Sequence, residues 1–176
     1  MSCTSVQDKP GYGVPMTVDA MSFRQAAGSF ASSVAVLSVP SPDGFQAMTA
    51  TAFCSLSLNP PLVLTCLDKN SRTLAHLSGS KDFNINVLGE HQERLSTYFS
   101  TRGHNNSLGE AAHRLTKSGL PVFEGSVAHF ECECVDLVEE GDHVIVIGKV
   151  QDATIRDDLE PLLYFRGSYR HLARHE

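Results

Sequence analysis

Four short stretches of this chain concentrate side chains suited to holding a polar, flat or charged ligand. The first is Met48-Thr49-Ala50-Thr51-Ala52-Phe53-Cys54-Ser55-Leu56-Ser57-Leu58-Asn59-Pro60-Pro61, where small and hydroxylated residues crowd together. Small side chains let a planar ligand approach the backbone, and its N–H groups can then meet ring carbonyls and nitrogens. The same composition suits an ordinary sheet surface, because Thr is a good strand residue, and both readings stand on composition alone. The second stretch is Asp68-Lys69-Asn70-Ser71-Arg72-Thr73, where an apolar run ends and a helical pattern begins. The free N–H groups and dipole of a helix N-terminus favour an anion, and Arg72 adds a fork that matches phosphate. A plain N-cap with solvated charges is the alternative. The third is Glu140-Gly141-Asp142-His143, a turn that delivers a histidine to the start of a strand. The fourth is Pro161-Leu162-Leu163-Tyr164-Phe165-Arg166-Gly167-Ser168-Tyr169, whose aromatic residues suit a core equally well.

Other chemistries lose their support. The chain has no GxGxxG turn, Walker loop or HExxH pair, and no GxSxG elbow. His129-Phe130-Glu131 matches the opening of a zinc deaminase motif, but the PCxxC partner is missing. Cys132 and Cys134 lie two apart in a strand-like run, so both face one side of a sheet. They read as buried apolar residues, without the spacing of a metal site. Five cysteines, an odd count, argue for reduced thiols. The net charge of −6 and the absence of any Lys/Arg run disfavour nucleic acid. No apolar stretch reaches the 18 residues of a membrane span. The first residues lack the basic and apolar regions of a signal peptide, so a cytoplasmic location is expected.

The elements that must position these stretches are mostly strands. The 176 residues fit one domain, with a flexible arm over 1–16 and a single domain over 17–176. A helix is expected over 19–30, capped by Asp19, with Phe23, Ala26, Ala27 and Phe30 on one apolar face. SVAVLSV reads as a strand, PSPDG as a turn, and LVLTCL as a strand covered on both sides. A short helix is expected over 71–78, capped by Ser71 and ended by Gly79. DFNINVL is a strand and 92–99 is helical. Residues 100–120 read as a loop with a helical piece. VAHFECECVDLV and HVIVIGKVQDATI are strands joined by EEGD, and PLLYFRG is a last short strand. Six or seven strands and about three helices that do not alternate argue against a parallel doubly wound sheet. They predict a mainly β fold, a closed or partly closed antiparallel barrel.

Taken together and in order, FRQAAGSFASSVAVLSV, TATAFCSLSLNPPLVL, KNSRT, FNINVL with QERLSTYF, GDHVIVIGKV and PLLYFRGSYRHL resemble the short-chain flavin reductases that serve two-component flavin monooxygenases. The resemblance spans about residues 23–172. It implies an FMN-binding split barrel of antiparallel Greek-key topology, assembled as a homodimer. It implies that Thr49, Ala50, Thr51, Ala52, Phe53, Cys54 and Ser55 border the flavin, with Cys66, Leu67 and Asp68 approaching from the next strand. Ser71, Arg72 and Thr73 would meet its phosphate, and Phe99 would touch it from a helix. His143 and Tyr169 would border the nicotinamide, His143 by binding or as a proton donor. Two departures stand out: Ser32-Ser33 replaces the usual Thr-Gly pair, and STRGHNNSLGEAAHRL replaces a short aromatic and glycine motif.

The implied activity is hydride transfer from NADH or NADPH to FMN or FAD, with reduced flavin diffusing to a monooxygenase. No metal, nucleic acid or membrane enters it. The rival reading is a flavin- or haem-binding protein of the same fold without reductase turnover. An oxidase of a small amine or pyridoxine-like substrate would need a basic phosphate-binding cluster for that substrate, which the sequence lacks.

Overall fold

The computed structural model describes residues 18–101 and 111–173. The arm expected over 1–16 and much of the loop after Phe99 lie outside the described residues. Helix α1 (Ala20–Ala27) begins where Asp19 accepts the N–H groups of Met21 and Ser22 at 2.9 and 3.0 Å, a side-chain cap for otherwise free donors. None of its residues is buried, and Phe23 and Phe30 stand exposed, so its apolar face is uncovered in this chain. Strands β1 (Ser32–Ser33), β2 (Ala35–Ser41) and β3 (Gly44–Ala50) follow. Pro40 and Ser41 extend β2, so the turn is tighter than the expected PSPDG. Gly44 enters β3 at φ 111, a conformation side chains resist.

Strands β4 (Phe53–Leu58) and β5 (Pro61–Asp68) form the next hairpin. Helix α2 (Arg72–Ser80) starts at Ser71, whose Oγ accepts the Leu74 N–H at 3.2 Å. Gly79 does not end it: Lys81, at φ 65, donates its N–H to Leu77 and closes the last turn. Then come β6 (Asp82–Val87), α3 (Glu93–Ser100), β7 (His113–Leu115), β8 (Pro121–Phe123), β9 (Ala128–Glu140), β10 (His143–Ile155), β11 (Leu163–Phe165) and β12 (Ser168–Arg170). Of the stretch 100–120, expected as a loop with a helical piece, the part from 113 on forms the β7–β8 hairpin, turned at Gly119, while 102–110 lie outside the described residues. The twelve strands among the described residues exceed the six or seven expected, because two- and three-residue ladders carry no periodic signal.

The main sheet has the order β3-β2-β6-β9-β10-β5-β4, every pair antiparallel. β3 and β4 follow each other in the chain yet form its two ends. They do not pair, so this sheet is not closed, short of the closed form the strand pattern allowed. β2 is the shared wall. Its Ala35, Leu37 and Val39 enter one core with Leu67, Leu74, Leu77, Phe83, Ile85, Val144 and Val146. Val34 and Val36 enter a second with Phe45, Leu88, Phe99, Leu120, Phe123 and Leu162. That explains the continuous apolar run of β2. β5 alternates instead: Val63, Thr65 and Leu67 are buried while Leu62, Leu64 and Cys66 are only half-buried. The expectation of cover on both sides fails there, because only the face bearing Val63, Thr65 and Leu67 is fully covered. Cys132 belongs to the first core and Cys134 packs against it, as the two-residue spacing required.

Candidate functional site

A cleft of about 420 Å³ opens where three pieces of chain converge. One wall is Gln46, Ala47, Met48 and Thr49 on β3. The floor is Asp68 at the end of β5 with Asn70, Ser71, Arg72 and Thr73 leading into α2. The far wall is Phe99, Ser100 and Thr101 at the end of α3. The turn before α2 is built by its own polar groups. Asp68 Oδ1 accepts the Asn70 N–H at 2.7 Å, and Asp68 O accepts the Ser71 N–H at 2.9 Å. This fixes the helix start, whose positive dipole end faces the cleft. Thr73 is buried and Arg72 is exposed at the rim. Opposite, Thr49 Oγ1 donates to Ser96 O at 2.6 Å, tying β3 to α3. Phe99 is buried, edged by Tyr98 at 5.0 Å and tilted against Phe123 at 5.7 Å, so its ring is held by packing.

The cleft thus unites six residues expected from the sequence: Thr49, Asp68, Ser71, Arg72, Thr73 and Phe99. Ala50, Thr51 and Ala52 run on from the β3 wall as the link to β4, and Phe53, Cys54 and Ser55 begin that strand. They continue the surface past Thr49 without lining the cleft. Ala52 O accepts both the Cys66 N–H and the Thr65 hydroxyl at 3.0 Å, which pins the link to β5. Cys66 is half-buried, and burial, then the neighbouring Cys54, raises its thiol above the ordinary range. Leu67 points the other way, fully buried in the first core.

His143 pairs across the ladder with Asp68, one strand spacing from the cleft floor. Its Nδ1 lies 2.7 Å from Asp142 Oδ1, and that hydrogen bond holds the Asp142 carboxyl below its usual range. The Lys69 N–H donates to Asp142 O at 3.1 Å, so the histidine turn is fastened to the loop that enters α2. Tyr169 lies apart. Its hydroxyl donates to Ser96 Oγ at 2.8 Å and its ring stands edge-on to Tyr164 at 5.6 Å, and it is not among the residues lining the cleft.

Sequence reasoning missed Gln46, Ala47, Ser100 and Thr101 as lining residues, and it placed Met48 and Asn70 in candidate stretches without giving them a role. Each lies within three positions of Thr49, Ser71 or Phe99, so closeness in the chain was the available signal. A larger groove, about 810 Å³ between α1 and the β11–β12 turn, offers Arg24, Gln25, Ser29 and Arg166 but none of the residues expected from the sequence to bind a ligand. The chemistry gathers in the smaller cleft. Its polar groups fit a phosphate-bearing ligand: a helix start with Ser71, Thr73 and Arg72 for the anion, and the oxygens of Thr49, Ser100 and Thr101, whose hydrogens go to the carbonyls of Ser96 and Thr97, as acceptors for a polyol, beside the buried ring of Phe99.

Comparison with known proteins is consistent with that donor set. Residues 27–173 match the flavin reductase like domain. The chain is 40% identical over 155 residues to a "Probable flavin reductase" of Rhizobium meliloti, covering 86% of this chain but only 48% of that protein, about half its length. It is 35% identical to "FMN reductase (NADH) SmoA" of Agrobacterium fabrum, over 92% of this chain and 91% of that one. It is also 35% identical to the reductase component of 4-hydroxyphenylacetate 3-monooxygenase of Thermus thermophilus, over 85% and 95%. Among solved structures, the Streptomyces globisporus NADH:FAD oxidoreductase SgcE6 in complex with NAD and FAD fragments superposes with a TM-score of 0.82. That pair is 34% identical over 88% of this chain and 93% of the other.

Proposed function

Because the chain belongs to the flavin reductase like domain family, we propose that it reduces FMN or FAD with NADH or NADPH and releases the reduced flavin to a partner monooxygenase. The observation that carries this is the cleft itself: an anion-binding helix start with Ser71, Arg72 and Thr73 faces Thr49 and Phe99 across a space of about 420 Å³. Ser71, Thr73 and Arg72 would hold the flavin phosphate, while Thr49 and the surface from Ala50 to Ser55 border the ring system. Bound flavin and nicotinamide supply the hydride chemistry, and the protein binds and orients them. Asp142 accepts a hydrogen bond from His143 Nδ1 and so turns Nε2 outward, where it suits the amide or phosphates of a nicotinamide cofactor. We assign His143 to binding, with Asp142 fixing the orientation of its ring.

The finer architecture follows the same reading. We take residues 17–176 as one split-barrel domain behind a short arm, paired as a homodimer in the cytoplasm. The uncovered face of α1, with Met21, Phe23 and Phe30 exposed, suits such a pairing. Among the described residues no helix is long and apolar enough to cross a membrane.

The test is NADH and NADPH oxidation by purified protein with FMN, FAD or riboflavin added in turn. Saturable, flavin-dependent oxidation is expected. Tight flavin binding without any oxidation would overturn the reductase and leave a flavin-binding protein of the same fold.

A further inference from the structure

The C-terminal hairpin reaches the flavin cleft through one continuous set of hydrogen bonds. Tyr169, on β12, donates its hydroxyl to Ser96 Oγ at 2.8 Å and lies 3.4 Å from Thr97 Oγ1. Ser96 is fully buried on α3. The carbonyl of the same Ser96 accepts the Thr49 hydroxyl at 2.6 Å. Thr49 lines the cleft, and Phe99 and Ser100, three and four residues on from Ser96 along the same helical face, line its far wall. The Tyr169 ring is itself set by Tyr164 and packs against the second core.

From this we infer that Tyr169 is a positioning residue for the flavin, acting through Ser96 on Thr49 and Phe99. The inference rests on the flavin-cleft reading above and departs from it at one point, since it moves Tyr169 from the nicotinamide to the flavin side. A hydroxyl already committed to a buried serine is a poor ligand for a second molecule. Its removal frees the Ser96 side chain inside α3 and loosens the turn that presents Phe99. The residues of the cleft stay in place chemically, so the effect falls on affinity for the flavin and not on the identity of the site.

The experiment compares Tyr169→Phe, Ser96→Ala and the double variant with the parent. Tyr169→Phe keeps the ring and its contact with Tyr164. Flavin affinity is read directly by quenching of FMN and FAD fluorescence, and the KM values for flavin and for NADH are measured separately. Thermal melting of each variant verifies folding. Tyr169→Phe is expected to weaken flavin binding by about three- to tenfold, the effect of one lost partly buried neutral hydrogen bond. KM for NADH should stay within about twofold on the same argument, and the double variant should be no weaker than the worse single one, as for two groups sharing one interaction. A raised KM for NADH with unchanged flavin affinity would return Tyr169 to the nicotinamide and overturn the inference. Unchanged flavin affinity in both single variants, or effects that simply add, would overturn it as well. Flavin binding is measured without turnover, so a protein that binds flavin but oxidises no NADH would sink the reductase reading while this result stood or fell by itself.

Discussion

His129 is the residue whose chemistry and surroundings agree least. It is almost fully buried on β9, and neither ring nitrogen has a hydrogen-bond partner among the described residues. Burial first, then the charge of Arg114, pushes its imidazole down to about 4 from 6.5, with Asp152 opposing. A histidine depressed on folding is held neutral in the native state, while the unfolded chain still takes up a proton below 6.5. Its stabilising share is therefore complete above pH 6.5 and is lost as pH falls toward 4. The full shift corresponds to about 3 kcal/mol, most of it lost by pH 4.5. Urea unfolding at pH 7.5 and 4.5 should show the parent losing about that much more than His129→Phe, where the titrating group is gone. Equal losses would show that His129 does not titrate on unfolding. Such a residue was not legible in the sequence, where His129 appeared only as a fragment of an incomplete zinc motif. Ser71, Arg72 and Asp68 were legible, because a helix start after a strand announces its own unsatisfied donors. Tyr169 was selected for a different contact from the one it makes: the serine that takes its hydroxyl lies 73 positions away, beyond any local pattern.

At the level of elements, the strands and helices with strong periodicity were readable and the irregular joints were not. β2, β5, β6, β9 and β10 were visible as apolar runs, and both Asp19 and Ser71 marked true helix starts. Gly79 misled because a glycine near a helix end looks like a stop, whereas the helix runs on until Lys81 turns left-handed. Gly148 shows the reverse, a glycine with no local signal and a large packing role. It lies at a register shift between β9 and β10, and a Cβ placed there would collide with the ring of Phe83. Phe83 is wholly buried in the first core and has little room to retreat. Overpacking of this kind costs about 1–3 kcal/mol. Gly148→Ala should therefore melt lower, by about 2–4 °C for each kcal/mol lost in a chain of this size. The loss should shrink in a Phe83→Leu background. An unchanged melting temperature would mean the bulge absorbs the methyl group.

For the molecule as a whole, the apolar surface of α1 and the edge strand β4 bear on assembly. Met21, Phe23 and Phe30 are exposed on and just beyond α1, and Leu56 and Leu58 are exposed along β4. A dimer would remove this surface from water. Light scattering should give twice the 19.1 kDa chain mass, and Phe23→Asp should shift the population toward single chains. A monomeric parent would refute the pairing. The strand order also bears on the route by which the chain reaches this state. Ala50 and Phe53 are three positions apart, yet they sit at opposite ends of a ladder with five strands between them. Neither end can settle until those five strands have bent far enough for the link at Thr51 and Ala52 to span the gap. Bringing the two ends of this open sheet near each other is a long-range step, whose entropy is lost before the contacts it allows can form. A cofactor held between Thr49 on one side of the seam and Asp68 to Thr73 on the other is a clasp across that gap. On the reductase reading, flavin bound there would stabilise the folded chain alone, so the melting temperature should rise with flavin concentration.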